Sequence, residues 1–188
     1  MSAPAQAHSP VPGIEGFYTG LLHPFSTPSQ ALLMFGLGLF TAGLAQSTIR
    51  LSLGAFLATT SASVIGGIWL EDTDTPLFAV AVLVCALAAV SPRVPLPAAV
   101  ILLVFAGLLI GLVSIPDPGP VRDRIITWAG AFVGANIGLL YITGGVIFLK
   151  DRFHQAWLTI AFRVLAAWLG AIALVMLALS FAQNNTAV

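Results

Sequence analysis

The octapeptide HPFSTPSQ, residues 23–30, concentrates side chains that can ligate a cation. It brings an imidazole, hydroxyls and an amide around Pro24 and Pro28, and it interrupts an otherwise apolar run from Gly16 to Phe40. A soft or borderline divalent cation wants several N, O or S donors converging on one point. His23 alone is therefore a weak metal signal. Polar groups at membrane depth are nonetheless functional candidates by default, and this chain has few. Ser29 and Gln30 share the patch with His23. Asn136 sits in a later apolar run, Asp117 in a loop, and Arg163 two turns into the last run. Thr59, Thr60, Ser61 and Ser63 form a hydroxyl cluster, and Tyr141 and Thr143 follow Asn136.

Each of these residues has a plainer use. Membrane serines and threonines commonly bond back to their own helix carbonyls or across to a neighbour, and a membrane asparagine commonly joins two helices. An arginine near a helix end can snorkel to the interface or pair within the bundle. The single cysteine, Cys85, lies in an apolar run and reads as a small packing residue. The other two histidines, His8 and His154, fall in a tail and a loop. No histidine cluster, paired intramembrane carboxylates, Ser/His/Asp set or phosphate loop can be assembled, so an enzyme is not expected.

The element that carries the patch must be a membrane helix. The 188 residues are 59% hydrophobic and 7% charged, against about 25% charged in a soluble domain. That leaves too little polar surface to cover a water-soluble globule. Formal net charge is zero, which gives no sign of a nucleic-acid partner. A span needs about 20 mainly apolar residues. Six runs qualify or nearly so: 29–46, 51–70, 77–90, 97–115, 125–149 and 156–181. The third is short and should start a few residues earlier. The fifth and sixth are long and should tilt or protrude. Short links predict antiparallel sequential neighbours. Thr27 is placed to cap the first span, with Pro28 at its first helical position. Residues 14–26 then form a short outer-side element, interfacial or re-entrant.

The predicted fold is all-α: a polytopic six-transmembrane-helix bundle, one domain over residues 14–183. Residues 1–13, without the basic and apolar regions of a signal peptide, read as a disordered tail, and 184–188 as a second tail. Lys and Arg favour one set of loops, with Arg50, Arg93, Lys150 and Arg152 against Arg122 and Arg124. The positive-inside rule then puts both termini outside a cytoplasmic (inner) membrane. The acids Glu15, Glu71, Asp72, Asp74, Asp117 and Asp123 fall outside, as a cation-concentrating mouth or as ordinary solvation of loop ends.

Small residues four apart let membrane helices approach closely. Gly130, Gly134 and Gly138 form such a stripe in the fifth run, Gly107 and Gly111 in the fourth, and Gly170 pairs with Ala166 in the sixth. These stripes predict mutual contact of the last three spans. Dimerisation is the alternative use.

HPFSTPSQAL resembles the first-span motif of the HupE/UreJ family of hydrogenase and urease accessory membrane proteins, which are similar to nickel or cobalt permeases. That motif runs H-P-x-x-G-x-D-H-x-L. His23 and Pro24 match it, while Thr27, Ser29 and Gln30 stand at the family's Gly, Asp and second His. VAVLVCALAAVSPRVPLPAAVILLVFAGLLIGL is similar to the family's third and fourth spans. Residues 110–117, IGLVSIPD, stand where the family has H-G-x-A-H-G-x-E, with Asp117 at the Glu. FRVLAAWLGAIALVMLAL is similar to the last span, with Arg163 and Gly170 matching. The resemblance covers residues 16–181. It implies a transporter-like protein that moves a small solute or divalent nickel or cobalt as substrate, along a path past His23, Ser29, Gln30, Asn136 and Asp117. The replaced donors keep a second reading open: a non-transporting accessory subunit in a larger membrane complex or a homo-oligomer. No tightly bound cofactor is evident from the residues.

Overall fold

The computed structural model describes residues 14–66, 74–90, 94–114 and 120–186. Among them there are seven helices and no strand: α1 (Ile14–Ser26), α2 (Pro28–Thr41), α3 (Gln46–Gly66), α4 (Asp74–Val90), α5 (Leu96–Val113), α6 (Val121–Phe153) and α7 (Ala156–Thr186). Three segments are long and apolar enough to cross a membrane: Leu96–Val113, Val121–Phe153 and Ala156–Ala182. Pro28–Thr41 and Asp74–Val90 are shorter apolar helices. The expected tail at 1–13 lies outside the described residues, and α7 continues to Thr186.

Boundaries move where local turn chemistry differs from hydropathy. The first reversal is at 42–45, where Ala42, Gly43 and Leu44 N–H groups close on carbonyls of Gly38, Phe40 and Thr41. QSTIR, expected as a loop, is therefore the first turn of α3. KDRF likewise stays helical, and α6 ends at His154, which takes a left-handed φ of 45°. Histidine is one of the residues enriched in that conformation. α4 starts at Asp74, three residues ahead of Leu77, as its short apolar run suggested.

α1 and α2 form one rod bent at Thr27. Pro24 lies inside α1 and Pro28 opens α2. Neither can donate an N–H, so the carbonyls of Gly20 and Pro24 lose their usual helical partners. Thr27 is extended (φ −93°, ψ 121°) but its hydroxyl makes no capping bond, contrary to the expected cap. The turn is held by the backbone instead: Thr27 N–H donates to His23 O at 3.3 Å and Ala31 N–H to Thr27 O at 2.9 Å.

The bundle is built around α2, which packs on α4, α6, α7 and α1. Leu33, Met34 and Leu37 are fully buried there, with Leu77 and Val84 of α4, Leu103 of α5 and Leu139 of α6. The main interfaces join α1 to α6, α3 to α5, α4 to α7 and α2 to α4. This corrects the expectation that sequential helices are the principal neighbours. Contacts at rising numbers on both partners make α1/α6, α2/α4 and α3/α5 parallel: Phe17, Leu21 and Phe25 meet Gly130, Gly134 and Gly138; Ser29 and Gly36 meet Asp74 and Cys85; Phe56 and Ser63 meet Gly107 and Gly111. α4 and α7 are antiparallel, through Thr75–Ser180 and Ala89–Arg163.

The glycines thus serve three separate interfaces and do not gather α5, α6 and α7 together. A Cβ on Gly130 or Gly134 would land on a backbone carbonyl of α1, one on Gly107 or Gly111 on hydroxyls of α3, and one on Gly170 on Cys85 of α4. The reason is geometric. A small-residue stripe marks where a backbone comes close, but it does not name which helix comes. α7 lies at the rim, with Trp157, Ile160, Trp168 and Val175 exposed. Together with the apolar helices, that surface is one suited to lipid and not to water.

Candidate cation site at the helix break

The bend at Thr27 brings the polar patch onto the N-terminus of α4. Ser29 is 1% exposed and Gln30 0%, since both lie on the face of α2 that enters the core. The Ser29 hydroxyl donates to Asp74 Oδ1 at 2.6 Å, the short distance of a bond to a carboxylate. Asp74 itself lies in the first turn of α4, where the helix dipole favours negative charge.

His23, in the last turn of α1, reaches back over the bend. Its Nε2 lies 3.2 Å from Gln30 Nε2. With the ring proton on Nδ1, Gln30 donates to His23. Gln30 Oε1 is then left buried without a hydrogen-bond partner. A buried orphan oxygen is costly and calls for an explanation. The same amide contacts the His23 imidazole, and its neighbour in the chain, Ser29, bonds the Asp74 carboxylate.

The four side chains offer one N and several O donors, a mixed set that a borderline divalent cation accepts. Among the described residues no three His, Cys, Asp or Glu converge. Two of the four positions here are Ser and Gln, so the set is weaker than a standard resident-metal cage.

Asn136 is not part of this cluster. Its Nδ2 donates to Thr60 Oγ1 at 3.0 Å, joining α6 to α3, and to Phe132 O at 2.9 Å. It also lines a cavity of about 260 Å³ between those helices with Leu53, Gly54 and Leu57. The hydroxyl cluster on α3 mostly bonds back to its own helix: Thr59 and Thr60 to Phe56 O, Ser61 to Leu57 O, Ser63 to Thr60 O. Arg163 caps another helix: its Nε donates to Ala89 O at 2.7 Å and its NH2 group to Val90 O at 3.4 Å. These are last-turn carbonyls of α4, which lack intrahelical donors. Asp117 lies outside the described residues.

Sequence reasoning missed Asp74, which it placed among the loop acids. The available signal was the DTP tripeptide ahead of an apolar run, an acid suited to a helix start.

Neither a curated protein nor a solved structure matches the chain. A family model described as HupE / UreJ protein matches residues 1–179. The matched region contains the bend, the buried Ser29–Gln30 pair and all of α2 to α6, and this chain, a membrane protein by its apolar helices, belongs to the HupE/UreJ family.

Proposed function

We propose that this protein is a permease-like member of its family that lets a small divalent cation, of the nickel or cobalt class, past the break between α1 and α2. It crosses the inner membrane six times, with the α1–α2 rod as the first pass and both termini outside. The alternating helix directions and the bias of bases toward one end support that topology.

One observation carries the functional reading: at a broken helix the adjacent buried residues Ser29 and Gln30 pair with Asp74 and His23 respectively, and Gln30 Oε1 is buried and unpartnered. Broken helices at membrane depth are tolerated where they are buried in protein or line a cavity. Freed carbonyls at such breaks are recurrent cation ligands. Asp74 contributes from α4 a carboxylate beside the position where the family motif carries its own, and where this chain has Ser29. Dehydration of the ion is offset by these oxygens and the imidazole. The mixed, incomplete set holds the ion weakly enough to release it.

The replaced donors also support the second reading, an accessory subunit that keeps the scaffold and packs into a larger assembly. The test separates the two. Purified protein in liposomes is assayed for Ni²⁺ and Co²⁺ uptake, with His23→Ala and Asp74→Asn as variants. Uptake should fall about 10–100-fold in each while both variants still purify as folded protein. Uptake that is absent in the wild type, with unrelated subunits co-purifying from native membranes, supports the accessory reading. Uptake undiminished in both variants removes the site.

A further inference from the structure

We infer that the end of the bundle around Arg50 and Lys150 binds an anionic phospholipid by its phosphate. The 42–45 turn, the start of α3 and the end of α6 line a half-open cavity of about 420 Å³. Its wall is apolar at Ala42, Leu44, Ile49 and Ile147, and it carries Arg50, Lys150 and Asp151. Lys150 also lines a second, smaller cavity of about 40 Å³ with Thr159, Phe162 and Arg163. Its Nζ lies 5.7 Å from the centre of the Phe162 ring, a cation–π arrangement that keeps the ammonium at the wall between the two spaces. Arg163 is held in place by the carbonyls of Ala89 and Val90. Three bases thus face two adjoining cavities that contain one carboxylate, Asp151.

The two kinds of lining choose the ligand. An anion alone would use Arg50 and Lys150 and leave the apolar wall without a partner. A glycerophospholipid uses both: its phosphate meets the bases, and its glycerol and first acyl carbons lie along Ile49 and Ile147. The location fits, because basic pockets between helices at the end of a bundle are headgroup sites. The bases Arg50, Lys150, Arg152 and Arg163 lie toward this end, where α2, α4 and α6 finish. A lipid with its own ammonium would set a like charge near Arg50 and Lys150. Asp151 offers that ammonium one partner, so an ethanolamine lipid is the proper competitor. Metal passage plays no part in this inference.

The experiment is native mass spectrometry of the delipidated full chain, titrated with phosphatidylglycerol or phosphatidylethanolamine. Phosphatidylglycerol adducts should form at about tenfold lower lipid concentration, equal to about 1.4 kcal/mol. The double variant Arg50→Gln/Lys150→Met should lose that preference, and Asp151→Asn should keep or strengthen it. Equal binding of the two lipids, or an unchanged preference in the double variant, overturns the inference. So does inorganic phosphate displacing the lipid at comparable concentration, which would make the ligand a solute. If the double variant does not fold, the wild type alone decides: phosphatidylglycerol binding must weaken as ionic strength rises, and indifference to salt overturns the inference.

Discussion

Replacing Gly134 by alanine adds one methyl group, and the structure assigns the result a sign. An ideal Cβ at Gly134 would overlap the Leu21 carbonyl oxygen, with Leu21 C at 2.9 Å and Cα at 3.1 Å. All three are backbone atoms, so no rotamer change relieves the clash. α1 must retreat from α6 by about 1 Å, and packed interiors yield to such shifts at about 1–3 kcal/mol. Against this stands the intrinsic gain of alanine over glycine in a helix, about 1 kcal/mol. The net expectation is a loss of up to about 2 kcal/mol. Gly144, on the same helix, is the control, because a Cβ there meets nothing within 4 Å. Gly144→Ala should therefore be neutral or stabilising by up to about 1 kcal/mol. At about 2–4 °C per kcal/mol for a chain of this size, thermal melting in one mild detergent separates the two variants in opposite directions. Gly134→Leu should go further and prevent α1 from docking. A Gly134→Ala melting temperature equal to or above that of Gly144→Ala would refute the α1/α6 contact.

Two further predictions follow from side chains that join helices. Arg163→Met removes the donors that cap α4 at Ala89 and Val90; it should cost about 1 kcal/mol, read as a melting temperature lower by about 2–4 °C, with Arg163→Lys restoring part of it. Asn136→Ala and Thr60→Val should each destabilise by about 0.5–1.5 kcal/mol through the α6–α3 bond. The double variant should cost less than their sum, and strict additivity would show that the two side chains do not interact.

The bend and its surroundings show how far one dimension reaches. Pro24, Thr27 and Pro28 mark the break without further help, because a proline's missing N–H acts locally. The pairing of His23 with Gln30 across seven residues was within reach for the same reason. Asp74 was not, since it is brought to Ser29 from another helix. Asn136 and Arg163 were legible as polar groups needing partners, but Thr60 and the end of α4 could be named only from the packing.

By itself the sequence determined that this is an apolar, all-helical membrane chain with a broken first element and glycine stripes for close approach. Those properties follow from composition and from periodicities within a few turns. Only the tertiary structure decided that α1 fills the α6 stripe, that α5 packs on α3, and that Asp74 accepts a hydrogen bond from Ser29 of the patch. The physical reason is that apolar helices present nearly uniform surfaces. Which two faces meet is settled by shape fitted along whole helices, through contacts between residues far apart in the chain.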